Sequence, residues 1–302
     1  MLYTAYHKAY NHAVLPEEHK FPMLKYDLLK EQLLHQGILE KHELFTPSNL
    51  ASDLDILRVH CVEYLDKLHR LDLNKIEERR TGFPLSKELI EREKLIMQGG
   101  IDASIFALEN NSISMNIAGG THHAYSNRAE GFCLLNDIAI AAAKLETEYK
   151  LASILVVDLD VHQGNGTAEI FKNNPNIFTF SMHGRNNYPF KKENSNLDIA
   201  LEDHVSDEEY LFILQKHLPD LLNKLQPQFV FYQCGVDVLE SDKLGKLGLS
   251  LEGCKLRDQM VFEMIRSRNI PMHCCMGGGY SKDIKIIVDA HSNTFKEAVD
   301  YL

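Results

Sequence analysis

Five short runs of mostly apolar and β-branched residues punctuate the chain, at 114–118, 153–158, 177–182, 229–233 and 271–276. They are too short for helices and lack a polar alternation, which is how strands buried on both faces of a parallel sheet read. Between them apolar positions recur at helical spacing, most clearly over 132–148 and 207–224. The second of these opens with Ser206 and Glu209, the spacing of a capping box in which serine accepts a backbone N–H and glutamate reaches back. The stretch 71–94 is the most charged and least periodic and predicts a loop or surface helix. Strand–helix alternation of this kind predicts an α/β chain with an open, doubly wound, mainly parallel sheet flanked by helices. With no repeat and no Pro/Ser-rich linker, residues 1–302 are expected to form a single domain. Ligands of such sheets bind beyond the carboxyl ends of the strands, so the residues after each run matter most.

Those residues are rich in chemistry. The first run leads into Gly119-Gly120-Thr121-His122-His123 and the second into Asp158-Leu159-Asp160-Val161-His162. The third leads into His183 and then Tyr188-Pro189. The fourth is followed by Gly235, Asp237 and Asp242, and the last by Gly277-Gly278-Gly279-Tyr280. Singly, each has an ordinary reading: paired histidines are often partly buried surface residues, and triple glycine is usually a turn. Their convergence on one sheet edge is what suggests a site. Asp160 and His162, two apart in an extended segment, point to one side, and Asp242 from a neighbouring loop can complete a carboxylate–imidazole–carboxylate set with room for water. Such a metal acidifies water and polarises a carbonyl. His122 and His123 offer bases for proton transfer, and Tyr280 a hydrogen-bond donor for an oxyanion.

Charge narrows the partners. The net charge of −11 disfavours nucleic acid and suits cationic substrates. Six cysteines without a C-x-x-C pair read as reduced thiols. Without a basic segment before an apolar run at the start, or a stretch of membrane-span length, a cytoplasmic protein with neither signal peptide nor membrane span is expected.

Together, Gly119 to Ala124, Gly131-Phe132-Cys133-x-x-Asn136-Asp137, Asp158-x-Asp160-x-His162-x-Gly164-Asn165-Gly166, Ser241 to Gly245 and Gly278-Gly279-Tyr280 resemble the histone deacetylase superfamily. The likeness extends to His19 through Tyr26 and to His60-x-x-x-Tyr64-Leu65, so it spans nearly the whole chain. His162-Gln163-Gly164-Asn165-Gly166, Val238 through Gly245 and Gly278 through Lys282 are most similar to the class IV, deacetylase-11-like branch, in a bacterial-type member.

The resemblance implies the arginase/deacetylase fold and a zinc-dependent amide hydrolase. The expected substrates are acylated lysine side chains of peptides or proteins, with acyl groups from acetyl to long-chain fatty acyl. It implies Asp160, His162 and Asp242 as ligands of one Zn2+, and His123 as general base and then general acid. His122 becomes its electrostatic partner, held by Asp158, and Tyr280 polarises the acyl carbonyl. Gly131, Phe132, Tyr188 and Gly278 would line the substrate tunnel, with Leu249 at its rim. A monovalent cation, K+ or Na+, would be bound by carbonyls of Asp158, Asp160 and His162 and by Ser181 and Met182.

Two departures matter. Asn165 stands where most relatives carry aspartate, and a neutral amide cannot stabilise an imidazolium by charge. A lower pKa for His123 than in aspartate-bearing relatives is therefore expected, readable in the acidic limb of kcat/KM in an Asn165→Asp variant. Tyr188 replaces a phenylalanine common among relatives. An arginase-like two-manganese site needs a D-x-H-x-D aspartate where this chain has Gly164. Deacetylation of small acylated amines such as acetylpolyamines is the nearer alternative. The uncharged Leu249 at the expected rim weighs against it, because it offers nothing to a second ammonium. A silent binding module is disfavoured by the presence of all the reactive side chains.

Overall fold

In the computed structural model, which describes residues 1–11, 15 and 19–302, the described residues build one eight-stranded, wholly parallel sheet. The strands are β1 (Tyr3–Ala5), β2 (Leu44–Phe45), β3 (Ile113–Asn116), β4 (Ile154–Asp158), β5 (Ile177–Gly184), β6 (Leu197–Leu201), β7 (Phe229–Gln233) and β8 (Met272–Cys275). Their spatial order is β2-β1-β3-β8-β7-β4-β5-β6. The helices are α1 (Lys25–His35), α2 (Asp53–Ile56), α3 (Val62–Arg70), α4 (Lys75–Thr81), α5 (Lys87–Asn110), α6 (Asp137–Glu148), α7 (Asn165–Phe171), α8 (Asp207–Leu225), α9 (Leu251–Arg266) and α10 (Ile284–Asp300).

The five apolar runs become the inner strands, each shifted by at most a few residues from expectation. β3, β4, β7 and β8 are buried at every position, because helices cover both faces of the sheet. β6, unanticipated from the pattern, is an edge strand whose burial alternates. The helix expected from 132 begins at Asp137: Gly131 and Phe132 both have left-handed φ values (+55° and +66°), and Asn136 caps the helix by accepting from Ala139 N. In α8 the Ser206 hydroxyl accepts from Glu209 N as its spacing predicts. The charged stretch 71–94 holds α4 and the first turns of α5.

The strand order reverses around the centre. β3 and β4 are separated by β8 and β7, so the loops after all four strands meet at one edge. A buried bracket from α9 fixes two of these loops. The Arg257 guanidinium donates to the carbonyls of Leu159 (3.3 Å), Gly235 (2.7 Å) and Cys234 (3.3 Å), and its charge is met by Asp258 at 2.7 Å. Asp258 in turn accepts from Tyr232 Oη and Thr294 Oγ1 (2.6 Å), so no part of the pair is unsatisfied. Asp137, at the start of α6, does the same for the β3 loop by accepting from the backbone N–H of Gly120 and Thr121, both at 2.8 Å.

Burial makes His273 on β8 a neutral residue. Its pKa is pushed down to about 4 by desolvation, against the opposing pull of Asp137 and a hydrogen bond with Ser114. The unfolded chain binds a proton at about pH 6.5 that the folded chain refuses until about pH 4. The resulting stability is present above the unfolded pKa and is lost as pH falls through that window. His273→Phe removes this titration. The urea unfolding free energy of the wild type relative to the variant is expected to fall by about 2 kcal/mol between about pH 6.5 and 5. A pH-independent difference would show that the folded histidine takes up its proton normally.

Candidate active site

Beyond the carboxyl ends of β3, β4, β7 and β8, Asp160, His162 and Asp237 are buried together, each offering a ligand atom within 4.8 Å of the others. His162 Nδ1 lies 3.1 Å from Asp160 Oδ1 and 3.2 Å from Asp237 Oδ2. Backbone amides aim the carboxylates: Gly278 N donates to Asp160 Oδ2 (2.9 Å) and Val161 N to Asp237 Oδ1 (3.0 Å). Gly278 must be glycine for this approach, since a Cβ there would overlap the Asp237 carboxylate. Two buried carboxylates this close repel. Desolvation first and then Asp160 push Asp237 up to about 7, while the two acids raise His162 to about 10 against its burial. Oxygen and imidazole donors crowded into a buried site are what a divalent cation relieves, and the set fits one.

One sequence expectation is corrected here, and one carboxylate is added. Asp237 joins Asp160 and His162 in this group, and Asp242, expected as a ligand, borders it closely enough to interact with the charges of His162 and Asp237. Asp242 also closes a turn, accepting from Leu244 N (2.8 Å), Gly245 N (2.9 Å) and Tyr280 N (2.6 Å). Leu249, expected at the rim, is fully buried. Its N–H donates to Val238 O (3.2 Å), packing it into the core, and Leu244 lines the mouth instead.

The imidazole pair sits beside the donor group, with ring centroids of His122 and His123 4.2 Å apart and those of His123 and His162 5.8 Å apart. Their outer partners differ. His122 Nδ1 is 2.6 Å from Asp158 Oδ2, and His123 Nδ1 is 2.6 Å from Asn165 Oδ1. Burial opposes charge on both rings. For His122 the Asp158 and Asp160 carboxylates overcome it and raise the pKa to about 9. For His123 burial, reinforced by His122 and His162, holds the pKa well below 6.5, and the Asn165 contact only partly offsets this. The leading cause of this lowering is burial, and the Asn165→Asp variant makes the comparison with an aspartate at position 165. The Asn165 amide is oriented by donating to Tyr125 Oη (3.0 Å) and Glu130 Oε1 (3.2 Å). Its oxygen therefore faces His123, whose Nδ1–H donates, leaving Nε2 as the base.

The remaining expected residues fall around this centre. Gly131 packs so closely on His123 that a Cβ would come within 2.7 Å of the ring, and its N–H donates to Arg80 O (3.0 Å). Phe132 and Tyr188 flank the approach; Tyr188 meets His123 edge-on at 5.1 Å, and its hydroxyl donates to Glu130. The Tyr280 ring lies 6.0 Å from Phe132 and is nearly buried. Ser181 pairs with Asp158 in the β4–β5 ladder, and Gly184 N donates to Val161 O (2.9 Å), so Ser181 and Met182 run beside the 158–162 loop.

Besides Asp237, sequence reasoning missed Lys25 and Glu130. Lys25 is fully buried, donates to Gly277 O (3.2 Å) and lies over the Tyr280 ring at 5.5 Å; burial lowers its pKa to about 8.

The parallel α/β sheet, with histidines and carboxylates gathered at its switch point, has the architecture of the histone deacetylase fold. Residues 19–295 match the histone deacetylase domain, and the chain belongs to that family. Uncharacterized protein SYNPCC7002_A1628 of Picosynechococcus sp. is 40% identical over 286 residues, 95% of each chain. Histone deacetylase 2 of Arabidopsis thaliana is 29% identical over 93% of this chain and 75% of its own. The fold matches a solved histone deacetylase homologue complexed with SAHA at a TM-score of 0.84 and 22% identity, covering 99% of this chain and 84% of that one.

Proposed function

We propose that the chain is a zinc-dependent hydrolase of acylated primary amines, acting on acyl-lysine side chains. One observation carries this reading: a buried Asp160/His162/Asp237 donor set lies beside two histidines, His122 bonded to the Asp158 carboxylate and His123 to the neutral Asn165 amide. Neighbouring titratable groups driven apart in pKa mark an acid–base assignment. Asp160 and His162, with Asp237 and Asp242 beside them, would hold a divalent ion, and that ion would supply Lewis-acid polarisation and an acidified water. His123, neutral with Nε2 free, takes the proton of the attacking water and returns it to the amine as the C–N bond breaks. His122, kept cationic by Asp158, stabilises the developing negative charge. Tyr280 donates its hydroxyl proton in a hydrogen bond to the oxyanion. Gly131, Phe132, Tyr188 and Gly278 enclose the amine's methylene chain. Asp158, Asp160 and His162, through their carbonyls, with Ser181 and Met182 are the proposed K+ or Na+ site.

The family, the match over residues 19–295 and the histone deacetylase relatives support amide hydrolysis. We further assign the chain to the class IV-like branch, as one cytoplasmic catalytic domain over 1–302, on the sequence motifs. A cavity of about 40 Å³ lined by Tyr26, Ile96 and Tyr280 together with the imidazoles suits a short acyl group. Lysine peptides carrying acetyl to myristoyl chains, with acetylspermidine and metal-stripped protein as controls, test the reading. Expected are cleavage of short acyl-lysines, little of acetylspermidine, loss on metal removal, and a fall of about 10²–10³ in Tyr280→Phe. Turnover that survives metal removal or Tyr280→Phe would place the chemistry elsewhere.

A further inference from the structure

The chain carries 43 acidic residues against 32 basic ones, yet the mouth of the site inverts this balance. The cleft there, about 980 Å³, is lined by Lys20, Arg79, Arg80, Arg128 and Lys246, and among the described residues by one acid, Glu130. Glu130 is already committed: it accepts from Tyr188 Oη and Asn165 Nδ2 and pairs with Arg128 Nε at 3.3 Å. Arg128 is further fixed by stacking on Tyr125, with its guanidinium 3.4 Å from the ring centroid. Lys20, Arg79, Arg80 and Lys246 are exposed. Their source elements differ: the segment before α1, the end of α4 and the loop after β7. A cleft with low-dielectric walls and charges of one sign focuses its field on an incoming ligand, even when the molecule as a whole carries the opposite sign. Phe190, 91% exposed, and Leu244 give the same cleft an apolar lip.

We infer that this mouth is an anion-recognition site, so that the acylated amine it admits carries carboxylate or phosphate groups beside the reacting chain. This rests on the hydrolytic reading above and reverses the preference for cationic partners that net charge alone suggests. Polycationic tails and polyamines meet the exposed Lys20, Arg79, Arg80 and Lys246, which form no ion pair among the described residues, before they reach Tyr188.

Acetyl-lysine peptides flanked by glutamate, phosphoserine, glutamine or lysine test the inference on the metal-loaded protein. A parallel set replaces the acetamide by a methyl ketone, which has no C–N bond to break. Expected is a gain of about tenfold or more for glutamate- or phosphoserine-flanked peptides over lysine-flanked ones, in KM rather than kcat and in the Kd of the ketones. The gain should shrink severalfold between about 20 and 500 mM NaCl. Equal gains for the two anions assign carboxylate recognition, and a gain for phosphoserine alone assigns phosphate. The double variant Arg79→Glu/Arg80→Glu should abolish or invert the preference. Lys216→Glu, an exposed change on α8 away from the cleft, should not. Equal cleavage of all flanks, or a preference for lysine, would overturn the anion site while leaving hydrolysis intact. Tight, salt-sensitive binding of acidic ketones without cleavage of any acyl peptide would uphold the anion site and overturn the hydrolytic reading.

Discussion

Asp237→Asn is expected to empty the metal site and lower kcat/KM by at least about three powers of ten, while Asp242→Asn reads the backbone role of Asp242 and, through its bound metal, any share it has in the ion. The first expectation follows from the donor geometry. Asp237 Oδ2 is 3.2 Å from His162 Nδ1 within the three-residue group, and its carboxylate is buried against that of Asp160. Losing its charge removes one anionic ligand, and the several kcal/mol of transition-state charge stabilisation that a metal supplies go with it. Asp242 works through backbone. An asparagine there retains one acceptor and loses the other, so either the Leu244/Gly245 turn or the Tyr280 N–H is released. A buried N–H left without a partner costs about 1–3 kcal/mol. Asp242→Asn should therefore lower the thermal midpoint and reduce kcat about tenfold through a displaced Tyr280. Bound metal per chain by atomic emission, read beside kcat/KM, separates the two. A metal-free Asp242→Asn together with a metal-loaded Asp237→Asn would return the ligand role to Asp242.

These two aspartates show where the sequence was legible and where it was not. The inner strands were readable because burial on both faces leaves an uninterrupted apolar run. β1 and β2, of three and two residues, and the alternating edge strand β6 carry too little pattern to stand out. Asp160 and His162 were readable from their spacing. Asp237 carried a signal that went unused: it sits between Val236 and Val238 directly after a buried strand, and a carboxylate flanked by core residues is buried and must be paired. Asp242, between Ser241 and Lys243, has the surroundings of a solvated turn, and a turn is what it closes. Leu249 and Leu244 exchange for the same reason. Leu249 lies in the apolar run Leu247-Gly248-Leu249, whereas Leu244 lies among Lys243, Gly245 and Lys246. The start of α6 was misplaced because periodicity does not register the left-handed backbone at Gly131 and Phe132. That backbone brings Gly131 against His123 and turns Phe132 toward Tyr280, an arrangement suited to gripping a ligand.

The protonation split between the two histidines yields the second large effect. His123→Ala removes the only imidazole of the pair that is neutral at physiological pH, and kcat/KM is expected to fall about 10²–10⁴-fold. His122→Asn removes a charge rather than a base and should cost less, while leaving the acidic limb of the profile in place, because that limb belongs to protonation of His123. Asn165→Asp then decides whether the amide sets that limb. A carboxylate 2.6 Å from His123 Nδ1 would stabilise the imidazolium, where the neutral Asn165 oxygen accepts a hydrogen bond without adding charge. The imidazolium of the variant is then favoured, so the limb should move to higher pH by about one unit or more. Burial and the neighbouring His122 and His162 still oppose charge on His123, which keeps the limb short of where an isolated Asp–His pair would put it. Glu130, held on the far side of Asn165 by Tyr188 and Arg128, would then face the introduced carboxylate, and like charges at that range raise the pKa of the new acid and blunt the shift. Removing that opposition with Glu130→Gln in the Asn165→Asp background should therefore move the limb further upward. A limb that stays fixed across all three proteins would mean that the group titrating in kcat/KM is not His123.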